Sequence, residues 1–184
     1  LLGYRGQLHS GREMPSSIFF NLATWHTINS AYTRQSLTEQ RRLANEAACA
    51  QRAARLMTLL ETRAGHWLAN EVEQAKIALS AQAAVKLGLD RLEAGLEVEL
   101  ERAAFDEASA SLIARIETTV TGVLDAAGVR PAAVDTVFFT GGSSGIPRLR
   151  ARIAELLPQA RAVEGDLFGS IGAGLAVEAA RRYA

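Results

Sequence analysis

The stretch Thr140-Gly141-Gly142-Ser143-Ser144-Gly145-Ile146-Pro147 constrains this chain more than any other. An apolar run, residues 134–139, precedes it and is rich in residues that favour strands. Residues 148–157 follow it, with apolar positions at helical spacing. The eight residues therefore turn a buried strand into a helix. Glycine permits positive φ and close approach to a ligand. Pro147 suits the first turn of a helix, where its missing N–H costs nothing. Such a turn gathers free backbone N–H groups at the positive end of a helix dipole, which favours an anion or a polar ligand edge. Two readings stand at this point: a turn that holds a ligand, and a tight turn that holds nothing. A Walker A loop is excluded, because no Gly-Lys-Ser/Thr follows.

The turn belongs to an alternation. The spacing predicts a helix over 105–127, stopped by Gly128-Val129-Arg130-Pro131, then the strand 134–139 and the helix 147–157. A short strand, 160–163, a second turn at Glu164-Gly165-Asp166 and a last helix over 167–182 complete it. This is an α/β pattern. Two strands joined through a helix imply a parallel crossover, and ligands of such sheets bind at the C-terminal strand ends, where both turns fall. Gly169, Gly172 and Gly174 are unfavourable inside a helix and imply close packing against another backbone or a ligand.

The first hundred residues read differently. Residues 1–15 form a loop, and 16–30 a short helix, or a strand followed by a helix. Ser36-Leu37-Thr38-Glu39 predicts a capping box, with Ser36 as N-cap and Glu39 at N3. One long helix then runs to about Thr62, Gly65 breaks it, and a second helix covers 66–83. After that the period changes to two. Residues 84–90 and 96–101, either side of Glu93-Ala94-Gly95, predict an antiparallel hairpin whose acidic residues form its wet face.

Composition removes several function classes. Lys plus Arg is 20 and Asp plus Glu is 20, so nothing here marks an electrostatic nucleic-acid binder. The arginines from Arg34 to Arg63 are balanced by glutamates and read as a solvated face. A hydrophobic share of 48% over 184 residues supports a sizeable core. No apolar run approaches the roughly 20 residues of a membrane span. The single cysteine, Cys49, excludes an internal disulfide framework and is expected as a small packing residue inside a helix. His9, His26 and His66 show no metal spacing, and Trp25 and Trp67 are expected as core or interface anchors. The chain opens on Leu1 and is read as a piece of a longer protein.

Four words, in order, carry a resemblance. Glu73-Gln74-Ala75-Lys76-Ile77-Ala78-Leu79-Ser80 resembles the Glu-x-Ala-Lys-x-x-Leu-Ser helix of the heat-shock protein 70 family. Leu100-Glu101-Arg102-Ala103-Ala104-Phe105-Asp106-Glu107 resembles that family's Thr-Arg-Ala-x-Phe-Glu entry to a returning helix. The stretch from Thr140 to Pro147 resembles its Val-Gly-Gly-Ser-x-x-Ile-Pro turn. Glu164-Gly165-Asp166, followed by Gly172-Ala173-Gly174, resembles its final Asn-Pro-Asp…Gly-Ala-Ala.

The resemblance implies the C-terminal half of an actin-like ATPase domain: α/β overall, or α+β as a fragment. Residues 1–104 would be the upper subdomain of the second lobe, helical with a β-hairpin, and 105–184 the C-terminal part of its α/β lower subdomain. The family's phosphate loops, Mg²⁺-coordinating aspartates and catalytic lysine would lie upstream, so no catalysis is expected of this chain alone. The divergent first 60 residues look more like the short family branch that lacks a peptide-binding domain.

Glu73, Lys76, Ile77 and Ser80 are spaced i, i+3, i+4, i+7 and share one helical face. By resemblance Glu73 and Lys76 would bond ribose hydroxyls and Ser80 the adenine edge. Gly141, Gly142 and Ser143 would line the nucleoside, with Asp166 nearby. Without the resemblance, Glu73 and Lys76 read as an ordinary exposed ion pair. The cofactors implied are ATP and ADP, with Mg²⁺ held elsewhere; the partners are nucleotide and a co-chaperone or nucleotide-exchange factor, with no nucleic acid and no membrane; the compartment is the bacterial cytoplasm. Ile77 and Gly145 stand where the family commonly has arginines that sandwich the adenine, which predicts weakened nucleotide binding. Two other readings remain, a small-molecule kinase of the actin-like superfamily and a degenerate, non-hydrolysing interaction module.

Overall fold

The computed structural model describes residues 1–165 and 169–183 and divides into two units, Leu1–Glu101 and Arg102–Ala184. In the first unit, α1 (Ser17–Ala23) leads into a 3₁₀ segment, Trp25–Tyr32, and then α2 (Arg34–Glu46), α3 (Ala50–Glu61) and α4 (Gly65–Leu79). Strands β1 (Ala84–Gly88) and β2 (Glu97–Glu101) pair antiparallel, with Leu87 opposite Val98 and Val85 opposite Leu100. Glu97, Glu99 and Glu101 alternate out to solvent while Val98 and Leu100 pack against the core, as the period of two requires. Ile28, Leu56, Leu59, Leu60 and Leu89 are fully buried, so helices and hairpin share one apolar centre.

Four expectations fail here, and the first two share a tertiary cause. The single long helix is two helices, broken at Ala47-Ala48-Cys49. Alanine favours helix, but the N-terminal loop competes for this backbone. His9 N–H donates to Glu46 O at 2.7 Å and Ala48 N–H donates to Gln7 O at 2.9 Å, while Leu8 and Ala47 pair as a buried bridge. Cys49 is consequently not a helical packing residue; it is exposed, at the N-cap of α3. The cap of α2 is Thr33, whose Oγ1 accepts from Ser36 N–H at 3.2 Å, so Ser36 sits at N3 and the Ser36–Glu39 box is not formed. Trp25, expected as a core or interface anchor, lies outside the core: it is 62% exposed and rests edge to face against His66.

Gly65 opens α4 for a steric reason. Its N–H donates to the Tyr32 hydroxyl at 2.8 Å, and a Cβ here would meet that oxygen at 2.4 Å and Ile28 Cγ2 at 2.7 Å. Only glycine lets α4 come this close to the 3₁₀ segment, and that contact sets where the outer face of α4 lies.

The second unit begins with α5 (Arg102–Ala127), which follows β2 without a loop. Pro131–Ala133 make a 3₁₀ turn before β3 (Thr136–Phe139); α6 (Pro147–Leu156), β4 (Arg161–Glu164) and α7 (Ser170–Tyr183) follow. Strands β3 and β4 pair parallel through α6, Phe139 opposite Glu164, the crossover that the alternation predicts. Ile113, Phe139, Leu149, Ile153 and Leu157 form the core. Arg152 joins α6 to α5 through Glu117, and its hydrogen bond holds that carboxyl below the ordinary range. At Gly172 and Gly174 a Cβ would meet nothing within 4 Å among the described residues, so no close approach to another backbone of this chain accounts for these glycines.

Candidate functional site

Helix α4 buries Ala75 and Leu79, which turns Glu73, Lys76 and Ile77 outward. Lys76 Nζ lies 2.6 Å from Glu73 Oε2. One turn apart on the helix, the pair presents an acceptor and a donor side by side on a half-exposed surface. Ile77 is 48% exposed beside them. Ser80 is the C-cap residue, and its hydroxyl makes a long contact of 3.5 Å to Lys76 O. The four positions that the spacing assigned to one face do share it. The same face continues towards the N-terminus of α4 through Asn70 and His66, three and seven residues before Glu73. There it borders a groove of about 560 Å³ lined by Phe19, Trp25, Ala69, Asn70, Val72 and Glu73 among others.

The glycine turn is equally defined within its own unit. Gly141 has φ of 80°, a conformation that favours glycine. Gly142–Gly145 form one 3₁₀ turn, and Ser144 closes it by donating from its N–H (3.0 Å) and its hydroxyl (2.7 Å) to Gly141 O. Pro147 occupies the first turn of α6. Gly142 and Ser143 lie exposed at the crest. Asp166 lies outside the described residues.

Sequence reasoning missed Arg150. Its Nε donates to Ser144 O at 2.6 Å, its guanidinium carbon sits 5.0 Å from the Phe139 ring centroid, and it pairs with Glu164. One side chain thus ties the turn to the ends of both strands. The signal was available: Arg150 lies three residues into α6 from Pro147, on the turn facing back towards the loop.

Among the described residues no cluster of His, Cys, Asp or Glu could hold a metal ion, and no helix is long and apolar enough to cross a membrane. A carboxylate beside an ammonium group on an open helical face fits vicinal hydroxyls, since one accepts and the other donates.

The Hsp70 protein family model matches residues 47–180. The chain belongs to the Hsp70 family. Its mixed content of helices and small sheets agrees with an α+β piece of that family's ATPase domain. Among its relatives are proteins named chaperone protein DnaK. The one from Mycoplasmoides gallisepticum is 30% identical over 115 residues, 58% of this chain and 19% of the relative. The one from Thermus thermophilus is 30% identical over 118 residues, 59% of this chain and 19% of the relative. The chain therefore spans about a fifth of the length of these curated relatives. Residues 1–46, including Trp25 and one wall of the groove, fall outside the family match.

Proposed function

We propose that this chain carries the nucleoside-binding elements of an Hsp70-type chaperone ATPase. The observation that carries the reading is the Glu73–Lys76 pair, 2.6 Å apart on an outward face of α4 that also holds Ile77 and Ser80. The Glu73 carboxylate accepts from ribose hydroxyls, the Lys76 ammonium donates to their oxygens, and Ser80 closes the C-terminal end of the face. In the second unit Gly141, Gly142 and Ser143 offer backbone N–H groups and a hydroxyl to the same class of ligand, and Asp166 is assigned to the same set by the family resemblance alone. ATP and ADP are the nucleotides, with Mg²⁺ and the phosphates handled by residues other than these.

On this reading the two units are the upper subdomain, residues 1–104, and the C-terminal part of the lower subdomain, residues 105–184. The protein works in the bacterial cytoplasm, and the upper helices meet a co-chaperone or exchange factor. A second reading has a specific observation behind it. Ile77 and Gly145 supply no guanidinium plane, and loss of such stacking weakens a base contact by about 1 kcal/mol each. That favours a non-hydrolysing interaction module over a small-molecule kinase.

Calorimetric titration of adenosine, ADP and ATP into the chain tests the first reading. Weak adenosine binding, abolished in Lys76→Ala and little improved by phosphates, is the expected result. Binding that survives Lys76→Ala unchanged, or no binding at several millimolar, sinks it.

A further inference from the structure

We infer that a polar pocket at the start of α2 binds an organic cation that carries N–H donors, a guanidinium or primary ammonium group. The pocket, about 200 Å³, lies between α1, the end of the 3₁₀ segment and the first turns of α2. It falls outside the family match and shares no residue with the nucleoside reading.

Its two deepest lining residues are Ile18, 2% exposed, and Gln40, 3% exposed. Gln40 Oε1 is withdrawn from solvent and has no hydrogen-bond partner among the described residues. A buried amide oxygen left unpaired is costly, and a donor in the pocket relieves it. The rest of the lining is rich in acceptors as well. Ser30 Oγ donates its hydrogen to Thr27 O at 2.6 Å, and Thr33 Oγ1 donates to Ser30 O at 3.3 Å. Both hydroxyls therefore have only lone pairs left to offer. Glu39 is the one charged residue of the lining and has no ion pair among the described residues. Arg41 and Arg42, next along α2, are taken by Glu61 and Glu46.

These groups narrow the ligand. Glu39 repels an anion, and the N–H groups of Ser36 and Leu37 at the helix start already donate to Thr33. A divalent metal ion needs more anionic oxygen than one carboxylate supplies. A single water answers Gln40 but not the charge of Glu39. A guanidinium or ammonium group brings positive charge and several donors together, and Ile18 gives its carbon stem an apolar contact. The volume suits the end of a basic side chain or a small amine, since whole metabolites take larger pockets.

The test is an NMR titration of the full chain, isotopically labelled at its backbone and glutamine amides. Methylguanidinium and n-butylammonium chlorides should shift the Gln40 side-chain amide and the Ser36 backbone amide saturably at millimolar concentration. Tetramethylammonium chloride, equal in charge but without an N–H, should shift neither. Glu39→Gln should weaken binding about fivefold or more, and Gln40→Met should abolish the response at Ser36. Gln40→Met sets an apolar chain of similar shape in place of the unpaired oxygen, so the Tm should hold or rise, which separates lost binding from lost fold. A peptide, acetyl-Gly-Arg-Gly-amide, tells the two sources apart. Binding as tight as that of methylguanidinium means the side chain of a partner, and much weaker binding means a free amine. An equal response to tetramethylammonium, or no saturable shift with any of these cations, overturns the proposal and leaves water as the partner of Gln40.

Discussion

The two units solve the burial problem to different degrees. In the first, five large side chains, Ile28, Leu56, Leu59, Leu60 and Leu89, are withdrawn from water completely, and one cluster runs from the N-terminal loop to the hairpin. In the second, the most buried side chains keep some exposure, and Leu112, Ile116, Val123, Phe138, Leu175 and Val177 stand open to solvent among the described residues. A parallel sheet is ordinarily covered on both faces, and here it has two strands with Phe138 uncovered. The first unit holds its outward face of α4 on a closed core. The second holds its glycine turn on a smaller core and on polar ties.

The largest expected effect sharpens that contrast. Leu59→Ala removes a fully buried side chain from the first unit and should cost about 2–5 kcal/mol in urea unfolding. Leu112→Ala, on an exposed position of α5, should change stability by less than about 0.5 kcal/mol. Equal losses would break the comparison, by showing that the open face of α5 is covered in solution.

Next comes Gly65→Ala, which probes how α4 is seated. The added methyl would lie 2.4 Å from the Tyr32 hydroxyl and 2.7 Å from Ile28, so the helix start must move. A loss of about 1–3 kcal/mol is expected in thermal unfolding, with weaker adenosine binding if the α4 face shifts with it. Tyr32→Phe alone should cost only about 1 kcal/mol, from the bond to Gly65 N–H.

How much of this was legible follows from which contacts are local. The hairpin, the crossover and the shared face of Glu73, Lys76, Ile77 and Ser80 rest on spacing, and spacing is written in the chain. The break at Ala47 was not legible. Its alanines favour helix, and what overrides them is the loop around Leu8, some forty residues away. Thr33, not Ser36, caps α2, and only the backbone shows that Ser36 is already helical. For Trp25 the sequence leaves core and interface open, and its exposure and its contact with His66 are set in space, not by local spacing. The family words lie in the legible parts, while the groove draws one wall from a segment outside the match.

In the second unit the corresponding probe is Arg150→Ala. It removes the hydrogen bond to Ser144 O, the contact with Phe139 and the pair with Glu164. The expected cost is about 1 kcal/mol, with faster amide exchange at Ser144 and Ile146, whose N–H groups bond inside the turn. Arg150→Lys keeps a charge but not the fork, and should recover less than half of the protection. Unchanged exchange would mean that the glycines alone hold the turn.

The smallest effect separates the units by pH. Glu93 accepts from Arg55 and, at 2.8 Å, from Gln51, and the Arg55 bond holds its carboxyl below the usual value. An unfolded chain therefore takes up the proton first. The contribution of Glu93 is fully present above the ordinary carboxylate range, about pH 4.3, and is lost as pH falls through the lower folded value. Glu117 does the same for the second unit, through Arg152. Both pairs tie distant segments, Arg55 on α3 to the hairpin turn and Arg152 on α6 to α5. Glu93→Gln should flatten the acid limb of the melting curve for the first unit and leave that of the second; Glu117→Gln should do the reverse. Salt should blunt both, since the groups are open to solvent. A single acid limb shifted equally by either substitution would mean that the two units unfold as one.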